Sequence, residues 1–317
     1  MHTLELHNRK SRTELQADLA AENRPRQILS FYRSCRIDDP QQLRDALYLA
    51  WNPMRVLGRI YVANEGINAQ LSVPQNQWQS WTDTLLKWPA TDGVFINLAT
   101  HSQGPSFIKL KIKVRAKIVA DGLPADFKMQ PATHLTPLDF HQAVQDPDNI
   151  VVDVRNDYEC ETGHFLGAYL PSSERFSQVL PEIAQRFAQE KDKTLLLYCT
   201  GGIRCEKASS YLKQQGFAHV AQLRGGIIHY LNTIKCTDQP SRYHGSLFVF
   251  DDRMAEPTVQ KIIAQCAQCQ APYDIHRDCN NPACHQLFIQ CPTCQQQFAG
   301  CCSRACQVQA TRAALAR

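Results

Sequence analysis

The sequence predicts a multidomain chain that joins an α+β unit to an α/β unit and ends in a cysteine-rich tail. Three observations carry that expectation. Residues 26–120 alternate short apolar strands with amphipathic helices in the order βαββαβ; residues 135–238 carry continuous apolar strands alternating with helices; and nine of the fourteen cysteines fall between Cys266 and Cys306. At 317 residues, two or three domains can each bury a core. Net charge of +4 is a mild basic excess that permits a nucleic-acid partner without requiring one. No run approaches the length of a membrane span, and Met1 to Lys10 is polar rather than a signal peptide, so a cytoplasmic protein is expected, with no membrane partner. Without a secretion signal, clustered cysteines favour metal ligation over disulfides.

Residues 1–25 form a polar lead-in, helical or loosely ordered. Strands are expected at 28–33, 58–62, 67–73, 94–98 and 107–119, and helices at 41–51 and 78–88, with Asn64-Glu65-Gly66 as a turn. This order is that of a ferredoxin-like (acylphosphatase-like) domain. In its last strand Lys109, Lys111, Lys113, Arg115 and Lys117 alternate with apolar residues, so a period of two puts five cations on one face. A phosphate backbone, such as that of RNA, would relieve their repulsion. A lysine-protected sheet edge is the competing account.

Pro- and Gly-bearing residues 121–134 form a linker. A helix is then expected at 136–144, buried strands at 150–154 and 193–198, a helical region at 173–189, a strand at 219–223 and a helix at 227–234. Such a pattern implies a mainly parallel sheet covered on both faces. Residues 239–317 form an extension, with a strand near 246–250, and the tail.

The centre of the chain is the strand-loop-helix at 195–217. Cys199 lies where the strand ends and a helix starts, the usual ligand edge of an open α/β sheet. Gly201 and Gly202 let backbone N–H groups converge on the sulfur, and Arg204 and the helix N-terminus add positive potential. All of these favour a reactive thiolate. Asp153 and Arg155 leave the first parallel strand on the same side, either as pocket residues or as a structural ion pair. His164 fits a local hydrogen bond better than proton transfer. Cys205, six residues on, is either a redox partner of Cys199 or a packing thiol.

The loop Cys199-Thr200-Gly201-Gly202-Ile203-Arg204 resembles the active-site loop of the rhodanese family, whose cysteine carries sulfur as a persulfide. Val151-Val152-Asp153-Val154-Arg155-Asn156-Asp157-Tyr158-Glu159, then Gly163-His164-Phe165-Leu166-Gly167-Ala168, and then Leu223-Arg224-Gly225-Gly226-Ile227 are similar to other signatures of that family, in its order. With Asn64-Glu65-Gly66-Ile67-Asn68-Ala69-Gln70, the extended loop through Cys205-Glu206-Lys207-Ala208-Ser209 and the cysteine-rich tail, nearly the whole chain resembles the bacterial tRNA uridine hydroxylases. That resemblance implies oxygen-dependent formation of 5-hydroxyuridine at the tRNA wobble position, with molecular oxygen as co-substrate. It also implies that Cys199 and Arg204 act in catalysis, with Asp153 and Arg155 supporting the pocket and Thr200, Gly201, Gly202 and Ile203 forming the loop. No flavin or nicotinamide motif is present.

Plain sulfur transfer from thiosulfate or a persulfide is the alternative. A phosphatase fits less well, because Cys-x4-Arg is one residue short of a phosphate loop, and a binding-only module remains a third possibility. In the tail, Cys266-x2-Cys269 and Cys291-x2-Cys294 frame Cys279 and Cys284, with Cys301, Cys302 and Cys306 after them. Eight thiolates suit two closed, structural zinc sites, with an iron–sulfur cluster, disulfides or free thiols as the alternatives. One division is Cys266, Cys269, Cys291 and Cys294 against Cys279, Cys284, Cys302 and Cys306, but spacing alone does not fix it.

Overall fold

The computed structural model describes residues 6–22, 24–101, 106–258 and 260–315, so part of the polar lead-in (residues 1–5 and 23) lies outside the described residues. The chain divides into two compact units, Met1–Asp121 and Gly122–Arg317.

The first unit runs α1 (Arg12–Glu22), β1 (Arg26–Ser34), α2 (Pro40–Trp51), β2 (Leu57–Ala63), β3 (Gly66–Pro74), α3 (Trp78–Leu85), β4 (Asn97–Leu98) and β5 (Leu110–Val114). Its sheet order is β4-β1-β3-β2-β5, in which β5 pairs parallel with β2 and the other pairs are antiparallel. The first four strands have the ferredoxin-like arrangement; β5 is an added strand on the far edge. Alternation explains the core. Leu29 and Phe31 of β1, Ile60 and Val62 of β2, and Ile67, Ala69 and Leu71 of β3 point inward and meet Leu43, Leu47 and Trp51 of α2 and Trp81 and Leu85 of α3. The Asp39 carboxylate accepts from Gln42 N–H and caps α2, and Pro40 opens it at a position where no amide donor is needed.

The basic strand is shorter than its sequence pattern suggested. Only Lys111 and Lys113 lie within β5; Lys109 precedes it, and Arg115 and Lys117 follow it. Lys117 turns to Asp121, Nζ to Oδ1 2.6 Å, so the five cations do not form one continuous face. The backbone gives the reason: pairing with β2 ends when Arg115 N–H reaches Val62 O at 2.9 Å, just before β2 turns at Asn64.

The second unit contains β6 (Thr133–Leu135), α4 (Pro137–Ala143), β7 (Ile150–Asp153), α5 (Asp157–Thr162), β8 (Gly163–Phe165), α6 (Phe176–Arg186), β9 (Thr194–Tyr198), α7 (Ile203–Gln214), β10 (His219–Leu223) and α8 (Gly226–Ile234). Strands β6-β10-β9-β7 form an all-parallel sheet. Leu195 to Tyr198 in β9 are all buried, as a strand covered on both faces requires. Sequence patterning missed β6, inside the expected linker, as well as α5 and β8. All three are too short to show a period.

The extension follows as β11 (Tyr243–Gly245), which pairs with β8, then β12 (Leu247–Phe248) and β13 (Ala255–Glu256). The tail adds β14 (His276–Asp278), β15 (Leu287–Ile289), α9 (Pro292–Gln297) and α10 (Arg304–Leu315). Tyr158 of α5 and Phe248 of β12 meet His276 of β14 edge to face, at 6.3 and 5.3 Å between ring centroids.

Candidate active site and thiolate clusters

Cys199 follows β9 directly, and α7 begins four residues later. Gly202, at φ +106°, takes a turn that a side chain would resist, and this lets its N–H point back at Cys199 Sγ, 3.1 Å away. The Cys205 thiol and the Cys205 amide, which is bonded to Gly202 O at 3.0 Å, both favour the ionised form of the same sulfur. Burial alone would push the Cys199 thiol up. The Cys205 thiol, the Arg204 charge and the two amides outweigh it and bring the pKa down to about 6. Cys205 is pushed the other way, well above the usual thiol range, first by burial and then by donating to Cys199. The two sulfurs form a thiolate–thiol pair, and no disulfide joins them.

A second helix start holds the loop from behind. Ile227 N–H donates to Cys199 O at 2.9 Å and Ile228 N–H to Thr200 O at 3.2 Å, both from the first turn of α8. The approach is so close that a Cβ on Gly226 would lie 2.5 Å from Cys199 O and 2.6 Å from Thr200 O. The Gly225-Gly226 pair is therefore a clamp on the cysteine loop.

Arg204 does not stand open to a ligand. Its guanidinium forms a two-pronged pair with Glu159, with Nη1 against Oε1 and Nη2 2.8 Å from Oε2, and Nη2 also reaches Thr200 Oγ1 at 3.2 Å. Glu159 is fully buried. The same carboxylate accepts from Asn156 N–H and closes the capping box of α5. Phe250 of the extension lies under the guanidinium, 5.8 Å from Arg204 Cζ to ring centroid.

Three family models match in succession: the UPF0176 acylphosphatase like domain over 26–118, the rhodanese-like domain over 136–232 and the Rhodanase C-terminal over 244–307. A protein of Hamiltonella defensa named tRNA uridine(34) hydroxylase is 45% identical over 306 residues, 95% of this chain and 86% of that protein. The chain belongs to the tRNA uridine(34) hydroxylase family. Proteins of the same name from Salmonella newport and Cronobacter sakazakii are 45% identical over 304 and 305 residues, 95% of this chain and 87% of each.

In this member of the hydroxylase family the remaining residues singled out by sequence fall as follows. Asp153 and Arg155 have no exposure and satisfy each other: Arg155 Nε and Nη2 reach both Asp153 oxygens at 2.7–3.1 Å, and Nη2 donates to Gly163 O at 2.6 Å. Their geometry is that of a positioning pair tying β7 to β8, rather than of groups that touch a substrate. His164 Nδ1 lies 2.9 Å from Cys160 O, a local bond across the end of α5.

Cys199 itself is 0% exposed, deeper than the open sheet mouth expected from sequence; within the loop, Thr200, Gly201 and Ile203 are the half-buried residues that meet solvent. The close approach of α8 to the Cys199 and Thr200 carbonyls contributes to that depth. Glu159 closes a motif that the sequence singles out, but the motif by itself assigns it no role. Its signal, Asn156-x2-Glu159, reads as an ordinary helix cap.

The tail gathers eight sulfurs into two sets, Cys266, Cys269, Cys291 and Cys294, and Cys279, Cys284, Cys302 and Cys306, each with all sulfurs within 4.8 Å of one another. Measured separations are 3.7 Å for Cys269–Cys291, 3.7 Å for Cys284–Cys302 and 3.6 Å for Cys302–Cys306. Disulfide sulfurs would lie about 2 Å apart. Four thiolates around a tetrahedral ion at about 2.3 Å stand about 3.8 Å from each other, and the observed spacing fits that arrangement. Backbone amides of Cys291 and Cys302 point at Cys266 and Cys279 sulfurs at 3.4 Å, as they do around coordinated thiolates. The ninth thiol, Cys301, belongs to neither set and is buried. Among the described residues, no helix is long and apolar enough to cross a membrane.

Proposed function

We propose that this chain hydroxylates the wobble uridine of tRNA at C5, with Cys199 as its catalytic residue and molecular oxygen as co-substrate. The observation that carries the reading is the Cys199 sulfur, drawn down to a pKa of about 6 at the head of α7, in a chain 45% identical over 95% of its length to a tRNA uridine(34) hydroxylase. At neutral pH such a sulfur is mostly thiolate, a competent nucleophile toward C6 of a pyrimidine, and addition there makes C5 electron-rich toward an oxygen donor. Arg204, locked by Glu159, supplies fixed positive charge beside the sulfur. A base approaches past Thr200, Gly201 and Ile203, the part of the loop that reaches solvent.

Each four-sulfur set in this reading holds one zinc ion with no open position, a structural role that supplies folding energy to the tail. The protein works in the cytoplasm, where tRNA is found.

The test is nucleoside analysis of tRNA from a deletion strain carrying the intact gene or a Cys199→Ala variant. Loss of 5-hydroxyuridine-derived nucleosides in the deletion, restored by the intact gene alone, is the expected result. Unchanged modification in the deletion strain refutes it. A Cys199 persulfide with thiosulfate-dependent turnover, found beside unchanged tRNA, would establish the sulfurtransferase alternative instead.

A further inference from the structure

The helices of the first unit cover one face of its sheet, and the other face carries an arrangement that the basic-strand pattern did not reveal. Register places two rows side by side across the strands. One runs Ser30, Gln70, Arg59, Lys111 and the next runs Tyr32, Asn68, Tyr61, Lys113, on β1, β3, β2 and β5 respectively. Their neighbours in sequence (Leu29, Phe31, Ile60, Val62, Ala69, Ile112) are buried against the helices, so these eight side chains share the opposite face. Arg59 and Lys111 are exposed; Tyr61 and Lys113 are half-buried.

The rows contain no carboxylate. Arg115, just beyond β5, sets its guanidinium 5.8 Å from the Tyr61 ring centroid. The cations press on one another: Lys111 has its pKa lowered chiefly by Lys113, then by burial, Lys109 and Arg59. A strand guarded merely against edge pairing needs lysines. It does not need a tyrosine ring between an amide and a lysine, with an arginine and a second amide in the adjoining row.

A flat ring amid cations takes a specific kind of ligand, on a face whose Asn68 edge is closed by the chain after β5, where Asn68 Nδ2 donates to Ile118 O at 3.1 Å. The ring offers a stacking surface that any nucleobase can use once it is unpaired, the cations meet the phosphates on either side, and the Gln70 amide can bond a base edge. Duplex RNA keeps its base faces stacked inside and cannot use the ring. An acidic protein segment would use the cations and leave the ring idle.

We propose that this face, centred on Tyr61 with Arg59, Lys111, Lys113 and Arg115, binds an unpaired loop segment of the substrate RNA by base stacking and phosphate contact. The proposal rests on the tRNA reading above and adds to it residues of the first unit that grip the RNA.

Fluorescence anisotropy with the full chain tests it, using a labelled anticodon stem-loop, an acceptor-stem minihelix with its single-stranded end, and a hairpin with its loop stapled into duplex. Expected results are binding of the stem-loop well above the duplex, a loss of about 5- to 150-fold for Tyr61→Ala, and parental affinity for Tyr61→Phe. Lys111→Ala, at an exposed position, should lower the slope of log affinity against log salt by about one.

Preference for the minihelix over the stem-loop would move the bound segment to the acceptor end and overturn the loop assignment. A Tyr61→Ala chain that keeps native tryptophan emission and parental affinity overturns the stacking site outright, as does equal binding of loop and duplex. Cys199→Ala separates the two readings: it should bind the stem-loop normally while forming no 5-hydroxyuridine. Intact binding with unchanged tRNA in the deletion strain would sink the hydroxylase and leave the platform standing.

Discussion

Arg204 and Glu159 offer the sharpest test of how the site is built. Their pair is buried, two-pronged and beside the Cys199 sulfur. Arg204→Met keeps the length and apolar stem of the side chain but leaves the Glu159 carboxylate buried without its cation. Breaking such a pair from one side costs about 3–5 kcal/mol, a large share of the roughly 5–15 kcal/mol that holds a domain folded. Replacing both partners removes the stranded charge, so Arg204→Met with Glu159→Leu should recover most of that loss, leaving a deficit of about 1–2 kcal/mol from the lost helix cap. Catalysis should not recover, because the thiolate loses the same cation in both variants.

All four tryptophans, Trp51, Trp78, Trp81 and Trp88, lie in the first unit, so their emission is blind to this change. Calorimetry and far-ultraviolet circular dichroism should follow the second unit instead. The midpoint for alkylation of Cys199, read by peptide mass spectrometry, should rise from about 6 toward the ordinary thiol range in both variants. A single variant as stable as the parent, or an unmoved alkylation midpoint, would refute the account of Arg204 as the fixed charge of the site.

Three other outcomes follow from the same geometry. The folded pKa of Cys199, about 6, is below the unfolded thiol value, so its ionisation adds stability in full above the unfolded pKa and that contribution disappears as pH falls through about 6. Parent minus Cys199→Ala stability should therefore grow from pH 5 toward pH 9, and a flat difference would count against the lowered pKa. Gly226→Ala should lower turnover and cost about 1–3 kcal/mol, since its Cβ would meet Cys199 O at 2.5 Å on a backbone at φ +64°; unchanged kinetics would show that α8 does not clamp the loop. Metal analysis should find about two zinc ions per chain, with chelation melting the tail while first-unit tryptophan emission persists; a metal-free protein with an intact tail would dismiss the ion sites.

The sequence by itself determined the ordering of the units and singled out Cys199 as the candidate nucleophile. Strand alternation in β1 to β3, the apolar run of β9 and the Gly201-Gly202 turn are local patterns, written within a few residues of the atoms they place. It also picked out the eight tail cysteines that gather, since Cys-x2-Cys is a local signature, but not their division into two sets, which depends on how Cys266 meets Cys291 across the tail.

Tertiary structure decided whatever joins distant segments. Glu159 reads as a cap until α5 packs beside α7 and it meets Arg204, 45 residues away. Gly226 reads as a turn until it touches the Cys199 carbonyl. The five cations read as one row until β2 ends and pairing stops at Arg115, while Tyr61 joins Lys113 only through strand register. Charge and period are properties of a segment, but partnership is a property of packing, and a buried carboxylate reveals its role only when its counter-ion arrives from elsewhere in the chain.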